Sequence, residues 1–179
     1  MRALVVYESM YGNTHMVAIS IAAGLRATHD VTLVPVSRAT RELVARADLL
    51  IAGGPTHMHG MSSPASRRSA AESARKHGSE LTMDPDADGP GIRGWLDGLD
   101  AGSGLAVAFD TRLRGLPVIT GRASQGISRS LQRHGYRLLA APESFLVSKQ
   151  SVLIGGEGPR ASGWAATIGE AARDFYARV

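Results

Sequence analysis

The chain contains no cysteine. Disulfides, thiolate metal centres and cysteine nucleophiles are therefore excluded. Aromatic residues make up only 5%, and the basic residues are scattered, with Arg67-Arg68 and Arg75-Lys76 the adjacent pairs. A nucleic-acid binder carries a denser basic stripe, interleaved with aromatics when it holds single strands, so no nucleic-acid partner is expected. No apolar run reaches the length needed to cross a bilayer. The N-terminus lacks a basic start, a long apolar stretch and a small-residue cleavage site, which predicts no signal peptide and a cytoplasmic location. What the chain does have is 179 residues, 44% of them hydrophobic, with a mild net charge of +4. That suffices for one ordinary domain over 1–179 with a real core.

Strand-like and helix-like stretches alternate along the chain. Arg2 to Tyr7 reads as a first strand and Thr14 to Ala27 as a helix, with Val17, Ile21, Ala22 and Leu25 at helical spacing. Further strands are expected at Val31–Val36, Asp48–Gly53 and Leu105–Phe109, and a fifth from Tyr136 to Ala140, flanked or continued by Phe145–Ser148. Gly53-Gly54-Pro55-Thr56 reads as an abrupt stop to the third strand, followed by a loop from Thr56 to Ser63. Asp110 to Pro117 reads as a polar loop. Helices are expected over Thr40–Arg46, Pro64–His77, Ile92–Leu99, Ser124–His134 and Pro159–Arg178, the last with an apolar stripe of Trp164, Ile168, Ala171 and Phe175. Five β–α units imply an α/β fold, a doubly wound five-stranded parallel sheet with helices on both faces. Strand order 2-1-3-4-5 brings the turns after strands one, three and four together at one edge.

The turn after the first strand, Glu8-Ser-Met-Tyr-Gly-Asn-Thr14, carries the clearest chemistry. Small hydroxyl and amide side chains next to a helix start, with free backbone N–H groups pointing outward, make an anion site and call for a phosphorylated ligand. The plainer reading of the same residues is an N-cap that satisfies only its own helix.

Ser9-Met10-Tyr11-Gly12-Asn13-Thr14 resembles the flavin mononucleotide (FMN) phosphate loop of flavodoxins, Thr/Ser-x-Thr-Gly-x-Thr, with Tyr11 in place of the third-position Thr. The string Ser-Met-Tyr-Gly is similar to quinone reductases of the tryptophan-repressor-binding-protein type. Gly54-Pro55-Thr56 with Gly60-Met61-Ser62 looks like their second flavin loop, and Phe109-Asp110-Thr111 stands where the third begins. The resemblance implies a flavodoxin-like fold and FMN as cofactor. Ser9, Asn13, Thr14 and the amides from Met10 to Thr14 would hold the phosphate, and Gly12 would permit its close approach. Pro55, Thr56, His57 and Met58 would form one wall of the ring site, and Phe109, Asp110, Thr111 and Arg112 the other. Positive charge from Arg112 and Arg114 near the ring would favour two-electron reduction over single-electron shuttling. The function so implied is a redox flavoprotein, an FMN-dependent oxidoreductase reducing quinone-type acceptors with NAD(P)H, or an electron-transfer protein. Its partners would be a small-molecule or protein redox partner and, through the last helix, a second copy of the chain. The alternative is a binding or regulatory module that keeps the fold without the flavin.

Other signals fall short. Asp84-Pro-Asp-Ala-Asp-Gly89 begins like a calcium loop, but its twelfth position is Trp95. His57 and His59 lack a third ligand nearby in sequence, so no metal is expected. The Gly-Lys-Thr of a nucleoside-triphosphatase loop is missing, as is the acidic pair of a phospho-receiver domain.

Overall fold

The computed structural model describes residues 1–178. In chain order the elements are β1 (Arg2–Tyr7), α1 (Asn13–Leu25), β2 (Asp30–Pro35), α2 (Arg41–Ala45), β3 (Leu49–His57), β4 (Gly60–Met61), α3 (Pro64–Arg75), α4 (Ile92–Asp97), β5 (Leu105–Leu113), α5 (Pro117–Thr120), α6 (Ala123–Arg133), β6 (Arg137–Leu138), β7 (Glu143–Val147) and α7 (Glu157–Tyr176). The sheet runs β2-β1-β3-β5, with β6 and β7 sharing the last position, and every one of these pairings is parallel. This is the expected 2-1-3-4-5 order.

Alternation along the strands builds two cores. Ala3, Val5 and Tyr7 of β1, with Ile51, Val107 and Phe109, face α1 and α7. Leu4 and Val6, with Leu50, Ala52, Ala106 and Ala108, face α4 and α6. A strand covered on both faces is apolar at every position, which is why β1 reads as an unbroken run. No described helix is long and apolar enough to cross a membrane.

Four expectations are corrected. β3 does not stop at Gly53; it runs to His57 and folds back as β4 through a two-residue turn at Met58-His59. Its glycine is a packing device, since a Cβ on Gly53 would lie 2.2 Å from the Phe109 ring. β5 continues through Asp110–Leu113, because β7 pairs with it from Phe109 to Leu113. The last strand position is split: Leu139 to Pro142 lie opposite only Val107 and Ala108, and proline cannot donate to the ladder. Finally, α7 buries small side chains, Ala161, Ala165 and Ala172 around Ile168, while Trp164 and Phe175 pack at the margin.

That small face exists because α1 and α7 lie close together. A Cβ on Gly24 would fall 2.1 Å from the Ser162 carbonyl oxygen. Helix propensity favours alanine over glycine by about 1 kcal/mol. Backbone cannot swing aside as a side chain does, so Gly24→Ala is expected to destabilise by about 1–3 kcal/mol despite that gain. Urea unfolding checks the sign.

Candidate functional site

The carboxyl ends of β1, β3 and β5 are neighbours in the sheet, so the turns that follow them share one edge. In the β1–α1 turn, Gly12 has φ +86°, where a Cβ is disfavoured. Its N–H donates to Ser9 Oγ at 3.1 Å, and its carbonyl accepts from the Met16 N–H at 2.9 Å. Among the described residues, the N–H groups of Met10, Tyr11, Asn13, Thr14 and His15 donate to no protein acceptor. Free amides at the positive end of a 13-residue helix form an anion cradle.

The side chains around the cradle mostly brace it. The Asn13 amide donates to the Ser151 carbonyl at 2.7 Å, and the Tyr11 hydroxyl to the Ala70 carbonyl on α3 at 2.8 Å. Thr14 and Thr111 share a hydroxyl–hydroxyl hydrogen bond of 2.7 Å, which ties the first turn to the third. Ser9 and Met10 are buried.

The second turn is a tight hairpin. Thr56 pairs with Met61 and His57 with Gly60, leaving Met58 (φ 45°) and His59 (φ 76°) at the tip. Such turns need positive φ at both central positions and normally use Asn or Gly, so Met and His here hold backbone strain. Met58 is 87% exposed. Pro55 is buried beside Thr111. His57 Nδ1 lies 3.3 Å from Ser66 Oγ, and burial pushes its pKa down, favouring the neutral ring.

The third turn departs from expectation. Phe109 is fully buried between Gly53 and Phe145. Asp110 is also fully buried, on the face toward α6, where one carboxylate oxygen accepts the Ser124 N–H at 2.7 Å. The Thr56 hydroxyl accepts the preceding Ala123 N–H at 2.9 Å. Thr56 and Asp110 therefore cap the start of α6. Arg112 is buried as well; its Nη1 donates to the carbonyls of Leu113 and Gly115 and to the Thr120 hydroxyl. It folds the 113–120 segment rather than projecting from it. Neither Phe109 nor Asp110 offers a side chain to the cleft, and the outer wall passes to residues 114–121, joined to the hairpin tip by the His59–Gly121 bridge.

Two contributors escape sequence reasoning. Glu8, at the end of β1, is buried and accepts from Arg67 Nη1 at 2.5 Å, Ser62 Oγ at 2.6 Å and the Ile92 N–H at 2.8 Å. Arg67 Nη2 also holds the carbonyls of Ala87 and Gly89. This clamp brings Asp84 against the first turn: the Asp84 N–H donates to the Met10 carbonyl at 2.8 Å, and its carboxylate lies 3.3 Å from His15 Nδ1. Asp86 joins His15 and Asp84 in one cluster but is taken up by the Tyr7 hydroxyl (2.9 Å) and Arg38 (3.3 Å). Glu8 and Arg67 are 59 positions apart, so no local pattern announces the pair.

A family model described as flavodoxin matches residues 5–88. No curated protein matches the sequence. Among solved structures, the chain is similar to a flavodoxin from the domain Archaea at 17% identity and TM-score 0.68, over 97% of this chain and 99% of that one. Flavodoxin 1 from Bacillus cereus aligns at 16% identity and TM-score 0.64, over 95% and 98%. A WrbA-like flavodoxin from Agrobacterium tumefaciens aligns at 20% identity and TM-score 0.57, over 97% and 98%.

Two stability measurements probe the site. Removing one partner from a buried ion pair typically costs about 3–5 kcal/mol, so Glu8→Ala should destabilise by that order in urea, far more than an exposed Glu72→Ala control. Asp110 titrates above its ordinary carboxylate range chiefly through burial, against the opposing pull of the Ser124 N–H. A raised folded pKa means stability is fullest below the unfolded value of about 3.9 and is lost as pH rises through the folded one. Asp110→Asn lacks that titration. Its stability relative to the parent should rise between pH 4 and pH 7, whereas an equal difference at both would refute the assignment.

Proposed function

Given a flavodoxin-like fold with an anion cradle at the β1–α1 turn, we propose that this chain binds FMN and serves as a redox flavoprotein, passing electrons from NAD(P)H to a quinone-type acceptor. The observation that carries the reading is the set of five free amides, from Met10, Tyr11, Asn13, Thr14 and His15, around left-handed Gly12. The likeness to flavodoxins supports it. A phosphate monoester fits this donor set without a lysine, because amide dipoles and the helix end stabilise a dianion. When bound, FMN supplies the electron-accepting chemistry, as one electron or a hydride.

The chain's own residues hold and tune the site. Ser9 Oγ, which accepts from Gly12, has its own proton free for a phosphate oxygen. The Thr14–Thr111 pair has one spare hydroxyl proton for the same use. Pro55, Thr56, His57 and Met58 provide the inner wall and the segment after Arg112 the outer one. Neutral His57 adds no charge to the ring site. The buried Arg112 guanidinium adds a fixed positive charge at the base of the outer wall. That charge favours accumulation of negative charge nearby, and so two-electron over one-electron chemistry.

One observation favours the flavin-free alternative. The Asp84 carboxylate reaches within 3.9 Å of the position a Cβ on Gly12 would take, an unhelpful charge beside a phosphate dianion. His15 Nδ1 lies 3.3 Å from that carboxylate. The two readings separate on reconstitution. With FMN added, the protein should turn yellow, quench flavin fluorescence and bind FMN about tenfold more tightly as Asp84→Asn, a gain of about 1.4 kcal/mol. The loaded protein should oxidise NADH or NADPH in the presence of a benzoquinone. A colourless protein in which Asp84→Asn changes nothing would establish the binding module instead.

A further inference from the structure

A second feature of the same edge is independent of the flavin. Between the β3–β4 hairpin, α4, α5 and α6 lies a cleft of about 740 Å³ lined by four arginines, Arg93, Arg122, Arg129 and Arg133, and by no carboxylate. None of the four forms a salt bridge among the described residues, whereas Arg38, Arg41, Arg67 and Arg160 all do. Arg129 and Arg133 are four apart on one face of α6, and Arg122 immediately precedes the helix in extended conformation. Arg93 stands across the groove, pre-set by hydrogen bonds from its Nε and Nη2 to the carbonyls of Ser62 and Met61. Its Nη1 has no protein partner among the described residues. Arg122 Nε is buried and unpartnered too. Buried donors in native structures are nearly always satisfied, and this unpartnered one belongs to an arginine that lines the cleft.

We propose that this cleft binds an organic polyanion carrying two or more phosphate or carboxylate groups. Four guanidiniums lining one cleft with no carboxylate among them create a positive field that an anionic ligand neutralises. Arginine presents a planar fork that grips phosphate or carboxylate through two parallel bonds, which lysine cannot do. Arg122 precedes the first turn of α6 and Arg133 ends it, an 11-residue helix about 16 Å long, too far apart for one oxyanion, so the ligand bears separated anionic groups. Volume and concavity suit a small molecule better than a protein face or a nucleic-acid strand. Exposed Val118 and half-buried Pro117 give its uncharged body an apolar wall. The cleft adjoins the hairpin carrying Met58, so its ligand would lie beside the proposed redox site. Nucleotide phosphates and a polycarboxylated substrate share this chemistry.

Calorimetry on the protein without added FMN tests the proposal. The probes are 2′,5′-ADP for phosphates, benzene-1,3,5-tricarboxylate for carboxylates and sulfate as a single oxyanion. At least one polyanion should bind, weaken steeply with added sodium chloride, and lose tenfold or more in affinity in the double variant R129Q/R133Q. Both changes lie on exposed helix positions, and circular dichroism verifies folding. Stronger binding of the nucleotide assigns a phosphate source, and stronger binding of the tricarboxylate a carboxylate source. Sulfate binding as tightly as either polyanion, no binding of either at millimolar concentration, or unchanged affinity in a folded R129Q/R133Q would overturn it. Arg129 and Arg133 line this cleft and not the β1–α1 cradle, so the affinity lost in R129Q/R133Q reports on the cleft alone, whatever phosphate the cradle takes up.

Discussion

The buried pair of Glu8 and Arg67 is the contact on which the site edge depends. Glu8 directly follows β1, an interior strand, where the sheet core gives way to the turns at the carboxyl edge. Through its carboxylate it gathers the end of the hairpin at Ser62, helix α3 through Arg67 and the start of α4 at Ile92. The span from Ala87 to Gly89 is then pinned by the second Arg67 nitrogen, which sets Asp84 against the β1–α1 turn. α3 has no fully buried side chain, so this pair and the Tyr11–Ala70 hydrogen bond fasten it where apolar packing does not. Isolated buried charges are costly, and three donors on one carboxylate are what make this one tolerable.

The edge divides electrostatically. On the β1 side lie a helix N-terminus, free amides, His15 and two aspartates, so positive potential there comes from backbone dipoles. On the α6 side lie permanent guanidiniums with no carboxylate among them. One half concentrates its positive charge at a helix end, and the other spreads it over guanidiniums around a cleft. The strained Met58–His59 tip stands between them. Strain of this kind persists only where the surroundings enforce it, and here the Gly121 contact does so.

Much of this was legible in the sequence, for definite reasons. β1, the turn after it and α1 are recognisable because a buried parallel strand is continuously apolar and the turn chemistry is local. The alternation of strands and helices fixed the layer order for the same reason. The extension of β3 to His57 was not legible, since Gly53-Gly54-Pro55 reads as a terminator until the Phe109 ring above Gly53 is known. The polar run Asp110–Leu113 reads as a loop because its strand character comes from β7, over thirty residues later. Asp110 and Thr56 carry residue types suited to a ligand, yet a helix start claims both. Arg122, Arg129 and Arg133 were visible as letters, but only the groove opposite Arg93 makes them a unit.

The central claim is that main-chain amides at the head of α1 hold a phosphate monoester. FMN and riboflavin differ by that one group, so parallel fluorescence titrations of the two isolate it. The account predicts that FMN binds at least about a hundredfold more tightly than riboflavin, a difference of about 2.7 kcal/mol. Equal affinity for the two flavins, or no binding of either, would contradict it.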